Sequence, residues 1–427
     1  MKSTVLFQDS LALFPDEPNN IATLESNILF WQEKGNQRQL FLKDVVGVSL
    51  VELEESKFPC LLLHAYPLKS IAQSRVLKEY CFTCPNVEVR AQWQQAINNT
   101  LANKLRHLQV IINPVSGKKQ AAKIFERVRP LLDKSYLKYS VKETASSKDI
   151  ETFVGNLNLS EVDGLIIVGG DGTVSNAIAG LMSRSDWEQA IKLPFGIIPA
   201  GTGNGLSKSL LELSKEAYAP LNAAFLIAKG KQQSLDLAAV KQNNQQYYSF
   251  LSLAWGLVSD IDIESEKLKF LGSLRFDLYA LMLICLLRTY KGKFSFIPHP
   301  DCKNLDRQGI SQQKEWYVVE DDFIFLWAMN VPWAAWDMNV TPHAQLNDGA
   351  MDVLVMRKGT SRLELLKALL RCGKGEHLDL PHMEYYKVRS FRLEPLTKKG
   401  LLVVDGELVD YLPIEMQVIH GLALVRG

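Results

Sequence analysis

Several familiar signatures are missing from this sequence of 427 residues. No GxxxxGKS/T occurs, which excludes the P-loop way of cradling nucleotide phosphates. The seven His form no HExxH and no Ser/His/Asp order, so hydrolase chemistry has no support. Six Cys lie without a framework spacing, and no leader-like segment precedes MKSTVLFQDS. A reducing, cytoplasmic setting is therefore the expectation. CFTC (Cys81, Cys84) has metal-like spacing but no second pair. Residues three apart on a strand also face opposite sides, so the pair reads as packing. The longest apolar run, LYALMLICLL (278–287), is about half of the ~20 residues that span a bilayer, so any membrane contact is expected to be peripheral. A formal net charge of +1 gives no general attraction to nucleic acid, and none is expected as a partner.

What remains is an ordinary globular composition, 47% hydrophobic and 22% charged, in a chain long enough for two or three domains. Residues 1–104 read as short strands closed by one helix. NILFW and QLFLK flank EKGNQR as a hairpin; CLLLHAY and KEYCFTC add strands. Val89, Trp93, Ile97 and Leu101 then make one helical stripe. This β-rich unit resembles a pleckstrin-homology-like domain, with a generic small β-domain as the alternative. The composition break before LQVIINP makes it a separable unit. Its removal is expected to leave the activity of the remaining chain largely unchanged and to alter membrane attachment.

Residues 105–229 have another grammar. LQVIINPVSGKKQAAKIFERVRPLL (108–132), GLIIVGGDGTVSNAIAGLM (164–182) and PFGIIPAGTGNGLSKSLLEL (194–213) each read as buried strand, glycine loop and helix. Three such units imply an α/β fold on a parallel sheet, with the loops together at the carboxyl ends of the strands, where ligands bind. Residues 230–427 read as β-rich and sandwich-like, interrupted by apolar helices at about 265–290 and 361–372. The polar run 299–315 reads as a mobile loop.

The loops at 113–117, 169–173 and 201–205 suit phosphate. A helix N-terminus carries unsatisfied N–H groups and partial positive charge, and glycine lets the backbone come close. GTGNG (201–205) is not the dinucleotide GxGxxG, since position 206 is Leu. Asp171 is the odd residue, because a phosphate repels a carboxylate. Either it caps the following helix, as Thr173 also could, or it takes a proton from the attacking group or binds metal. In SDIDIESE, acids fall at 260, 262, 264 and 266. If the segment is extended they share a face that could meet an ammonium group. The alternatives are a solvated acidic strand or the first turn of the next helix.

GGDGT followed by PAGTGN resembles the diacylglycerol kinase catalytic domain superfamily. SFLSLAWGLVSDIDIESEKLKFLGSLRFDLYALM (249–282) narrows the resemblance to the sphingosine kinase family, from about residue 105 to the C-terminus. It implies ATP-dependent phosphorylation of a long-chain base at its primary hydroxyl, with Mg²⁺, at a peripheral membrane surface. A kinase for diacylglycerol or ceramide and a catalytically weak lipid-binding adaptor are the alternatives. By position, Asp171 matches the base, within a lipid-facing Gly169, Gly170 and Gly172. Asn113, Pro114 and Val115 match the first nucleotide loop. Thr144, Ala145, Ser146, Ser147 and Lys148 match a second contact, and Gly201, Thr202 and Gly203 a third. Lys269 and Arg275 fall where basic residues approach the ATP phosphates. Asp405, Gly406 and Glu407 match a C-terminal DGE motif, with Asp405 as the magnesium contact. Ser252, Asp260 and Asp262 fall on the lipid headgroup side, and the apolar helix from Leu268 to Leu287 implies a wall for the alkyl chain. Most members carry Glu five residues after the GDG aspartate; here that residue is Asn176.

Overall fold

A computed structural model describes residues 4–69, 74–101, 106–114, 116–135, 137–265, 267–268, 274–303, 305 and 309–427. The N-terminal unit is two four-stranded antiparallel sheets. The first is a meander of Val5–Ser10, Ile21–Glu25, Ile28–Glu33 and Asn36–Phe41, and its last turn carries Lys34 and Gly35 at positive φ. The second joins Ala12–Leu13, Lys78–Thr83, Cys60–Ala65 and Val45–Val51. Helix Val87–Leu101 closes the pair, with Trp93, Ile97 and Leu101 buried against Leu24, Trp31 and Phe82 and Val89 at the margin. Each such aliphatic side chain contributes roughly 1.5–3 kcal/mol by leaving water. Two sheets closed by one helix bear out the β-rich reading of this region.

The central sheet runs Leu137–Glu143, Arg106–Ile112, Gly164–Gly169, Phe195–Pro199, all parallel. Alternation along these strands builds two cores. Val110, Ile166 and Ile198 pack with helices Ala121–Asp133 and Pro220–Lys229. Ile111, Ile167 and Ile197 face the opposite way, with helices Ser147–Gly155, Asp171–Met182 and Gly205–Leu213. Helices on both faces explain why the strands read as continuous apolar runs.

The C-terminal region is an antiparallel sheet system around Trp255, Phe294, Phe323, Tyr386 and Phe391. A helical layer of Leu257–Glu264, Leu274–Leu286 and Arg362–Cys372 covers part of it through Leu283, Ile284 and Leu365 against Leu354 and Met356. The last strand, Ile414–Arg426, crosses the expected division at 229/230. It pairs in parallel with Phe195–Pro199 and antiparallel with Gln232–Gln242 and Glu384–Pro395, so one continuous sheet links both regions. Residues 310–313 correct the loop reading of 299–315: Ile310–Gln313 is a strand paired with Trp316–Met329.

The N-terminal unit does not hang on a tether. Val46 and Tyr66 belong to the buried core that includes Val110 and Phe225. Lys229 Nζ donates to the carbonyls of Leu42 (3.2 Å) and Val45 (2.8 Å). A side chain at Gly47 would meet the Lys134 carbonyl at 2.0 Å. The expected easy removal of residues 1–104 conflicts with this shared core, because truncation would expose it.

Candidate active site

The glycine loops meet at the carboxyl ends of the parallel strands. Gly170 and Gly201 touch backbone to backbone: a Cβ on Gly201 would lie 2.4 Å from the Gly170 Cα. Any larger residue would force the loops apart. Asn113 closes the adjacent loop, its Nδ2 donating to Thr173 Oγ1 at 3.2 Å. Pro114 beside it is half-buried; Val115 lies outside the described residues. In the fourth loop the Thr144 hydroxyl donates to the Ile112 carbonyl (3.2 Å) and Ser146 Oγ caps its helix by accepting from the Asp149 N–H (3.2 Å). Ala145 N–H donates to Asp149 (2.9 Å), and Lys148, one residue into the helix that starts at Ser147, pairs with Glu151 (3.0 Å). Local capping thus occupies much of this segment's polar capacity.

Asp171 opens helix Asp171–Met182, yet its carboxylate serves another helix. Oδ2 accepts the Gly205 N–H at 2.9 Å and Oδ1 the Leu206 N–H at 3.4 Å, the first turn of helix Gly205–Leu213. Asp171 keeps intermediate exposure. Burial of its carboxyl raises the pKa to about 6, opposed by those N–H donors and assisted by the charge of Asp405. Such a group is ionised at neutral pH and still basic enough to accept a proton, the range that suits a general base.

Asp405 is built differently. It sits at φ +50 in the turn between Leu402–Val404 and Glu407–Val409, followed by Gly406 at φ +83. Oδ1 accepts from Ser249 Oγ (2.7 Å), Leu251 N–H (3.0 Å) and Ser252 N–H (2.9 Å), and Oδ2 from Phe250 N–H (3.1 Å). Burial raises its pKa against these four donors. A carboxylate so engaged does not fit the expected direct magnesium ligand, and Asp405 is corrected to the bracket that holds the start of strand Ser252–Gly256 in place. Glu407 is the exposed carboxylate here; its Oε1 would be 3.6 Å from a Cβ on Gly172. Ser252, buried beside Asp405, reaches the same place. Among the described residues no group of three or more His, Cys, Asp or Glu could hold a metal ion.

The acidic segment is a helix, not an extended strand: Leu257–Glu264 starts after Gly256 at φ +79. Its acids therefore do not share one face. Asp260 and Glu264, one turn apart, both meet Arg288, at 3.1 and 3.3 Å, and Tyr290 also donates to Asp260. This corrects Asp260 from headgroup contact to helix anchor. Asp262 points away from that pair by helical spacing and keeps intermediate exposure. Arg275 begins helix Leu274–Leu286 with its guanidinium 4.5 Å from the Phe276 ring centre; Lys269 and Glu266 lie outside the described residues. The same helix buries Tyr279, Leu283 and Ile284 but exposes Leu274, Leu278, Leu281, Met282 and Leu286.

Sequence reasoning missed the floor of the site. Asn204, at φ +60, caps the GTGNG turn: its Oδ1 accepts the Gly201 N–H (3.0 Å) and its Nδ2 donates to the Gly201 carbonyl (2.8 Å). Its Nδ2 also donates to Tyr218 Oη at 2.8 Å. Trp336 stacks on Tyr218, and the Trp336 backbone N–H donates to the Gly203 carbonyl at 2.9 Å. The Asn inside GTGNG was the one available signal.

Comparison with known proteins decides the family. The family described as diacylglycerol kinase catalytic domain matches residues 107–240, and the YegS C-terminal NAD kinase beta sandwich-like domain matches residues 319–425. Sphingosine kinase 1 of Arabidopsis thaliana is 36% identical over 362 residues, covering 78% of this chain and 74% of that protein. Sphingosine kinase 1 of Homo sapiens is 32% identical over 336 residues, covering 72% and 88%. The chain belongs to the sphingosine kinase family. A solved diacylglycerol kinase from Bacillus anthracis, 18% identical, shares the fold with a TM-score of 0.53 over 76% of this chain and 97% of its own. The enzyme is thus a lipid kinase with an α/β catalytic domain, a β-sandwich domain and an N-terminal β-rich region.

Proposed function

We propose that this kinase transfers the γ-phosphoryl group of ATP to the primary hydroxyl of sphingosine or a related long-chain base, with Asp171 as the base. The observation that carries this reading is a carboxylate with a pKa of about 6 at the meeting point of two glycine loops, in a chain of this family. Phosphoryl transfer asks for positioning and charge neutralisation more than covalent help. The loops at Asn113, Gly170 and Gly201 offer backbone to the phosphates. Asp171 accepts the proton of the lipid hydroxyl as the oxygen attacks phosphorus. Glu407 is the carboxylate open to a phosphate-bound Mg²⁺, which when present neutralises phosphoryl oxygens.

Ser252 and Asp262 would receive the hydroxyl and ammonium of the base. The exposed leucine face of helix Leu274–Leu286 supports contact with a peripheral membrane surface, from which the lipid would be drawn. No described helix is long and apolar enough to cross a membrane. The test is a panel of sphingosine, ceramide and diacylglycerol with labelled ATP. Sphingosine should be the preferred acceptor, and preference for either neutral lipid would overturn the ammonium reading. In sphingosine assays, kcat/KM should fall on the acid side of about pH 6, as Asp171 becomes protonated.

A further inference from the structure

Arg75 is a cation from the N-terminal unit buried in the body of the catalytic domain. It is 7% exposed, and every hydrogen-bonding arm of its guanidinium has a partner. Nε donates to both oxygens of Glu216 at 3.1 Å, and NH2 to Glu216 Oε1 at 2.5 Å. NH1 donates to Asp44 Oδ1 at 2.9 Å and to the Tyr66 carbonyl at 2.5 Å. The guanidinium lies 3.5 Å from the centre of the Phe225 ring. Its backbone N–H donates to Asn222 Oδ1 (3.1 Å), and Asn222 Nδ2 donates to the Ala217 carbonyl (3.0 Å). Arg75 therefore grips Glu216 directly and its neighbour Ala217 through Asn222. Arginine suits this place because its planar fork meets a carboxylate in two bonds and stacks on an aromatic face.

The gripped segment leads straight to the catalytic loops. Tyr218, the next residue, accepts from Asn204, and Asn204 bonds both backbone groups of Gly201. Asn204 is also the N-cap of the helix whose first N–H groups bind Asp171. Each link in this chain is a hydrogen bond or a step of one or two residues along the backbone, and its ends are the N-terminal unit and the proposed base.

We infer that the N-terminal unit is a positioning element of the active site, acting through Arg75, Glu216 and Tyr218 on the Asn204 turn. It sets where the Gly201 loop and the Gly205 and Leu206 amides stand. The inference rests in part on the reading of Asp171 as the base, but the geometry of the turn can be followed separately. Arg75 and Tyr218 are positioning residues, since neither reaches a reacting atom itself.

The test uses the full chain with Tyr218→Phe, Glu216→Gln, the double variant and Arg75→Gln. Tyr218→Phe leaves the interface untouched and keeps the ring on Trp336; Glu216→Gln keeps shape and one acceptor, which guards against simple unfolding. Amide hydrogen exchange in 201–212 should quicken in each. The kcat/KM for ATP should fall by about 2- to 30-fold, the range of coupling through packed networks, while KM for sphingosine holds. The double variant should lose little more than the larger single loss, because both changes cut one chain. Multiplicative losses would overturn the inference. So would Glu216→Gln loosening residues 44–69 while 201–212 stays protected. Should Asp171→Asn keep its turnover, the base reading falls, yet the exchange result still judges the coupling.

Discussion

Asp171 and Asp405 interact electrostatically across the site, and both are carboxyls that accept backbone N–H bonds. They differ in how much of their capacity the fold has taken. Asp405 binds four donors from one short stretch, Ser249 to Ser252, so its oxygens hold a turn together. Asp171 takes its hydrogen bonds from the first turn of one helix, and the residue keeps intermediate exposure. One carboxylate is a structural bracket, and the other keeps the partial exposure that the proposed base needs. Residue type and glycine neighbours are alike in both; the number of donors separates them.

Asp171→Asn should break this contrast most sharply. Loss of a general base typically costs about 10²–10⁴ in rate. The fold should not suffer. Asp171 has a folded pKa raised to about 6, so its contribution favours folding below the ordinary carboxylate pKa and is lost as pH rises through 6. Above that pH the ionised group opposes folding by something on the order of 3 kcal/mol at most. The Asn variant leaves the longer of the two N–H bonds unpaired but removes the buried charge, so its Tm at pH 7 should stay close to wild type while turnover is lost. More than about half the wild-type rate would remove Asp171 from the chemistry.

Asp262→Asn extends the contrast to the acidic helix, where Asp260 is engaged by Arg288 and Tyr290. In a partly dry cleft, truncating one partner of an ammonium–carboxylate pair costs about 2–5 kcal/mol, or roughly 30- to 4,000-fold. The loss should appear in kcat/KM for sphingosine and leave any activity on diacylglycerol unchanged. Equal losses on both lipids would assign Asp262 to the nucleotide or the fold.

For Asp405→Asn the expected change is in stability. The amide nitrogen must face an N–H or hydroxyl donor, leaving a buried group unsatisfied at about 1–3 kcal/mol. Tm should drop, and kcat measured well below it should fall less than in Asp171→Asn. An Asp405→Asn protein with native Tm and no turnover would reverse the two roles.

How much of this could be read beforehand followed from the range of the forces involved. The strand–loop–helix units were legible because each is local: an apolar run, glycines and a periodic helix within some twenty residues. The acidic segment stayed open between strand and helix because SDIDIE alternates as a half-buried strand does. Gly256 at positive φ and Arg288, 28 residues from Asp260, make it a helix instead. The bracket on Asp405 depends on residues more than 150 positions away, and the grip on Glu216 on one 141 positions away. No local pattern encodes such pairings. The Asn204 turn lay within a recognised motif, but its tie to Tyr218 is tertiary.

Asn176 gives the smallest expected effect and the finest test of the contrast. The family resemblance puts Glu at this position, so a carboxylate would stand one helical turn beyond Asp171. Here the Nδ2 of Asn176 donates to the Gly172 carbonyl at 2.7 Å, a bond back along its own helix. Such a bond only doubles what the helix already provides, and Ala is the better helix former by a few tenths of a kcal/mol. Asn176→Ala should then leave Tm nearly unchanged and kcat within about twofold, a difference under about 0.5 kcal/mol. Asn176→Glu restores an anion on the helix that Asp171 opens, and like charges raise one another's pKa. Its mark should be an acid limb of kcat/KM moved above pH 6, with little change on the plateau. A tenfold loss in Asn176→Ala would show instead that this amide touches the nucleotide.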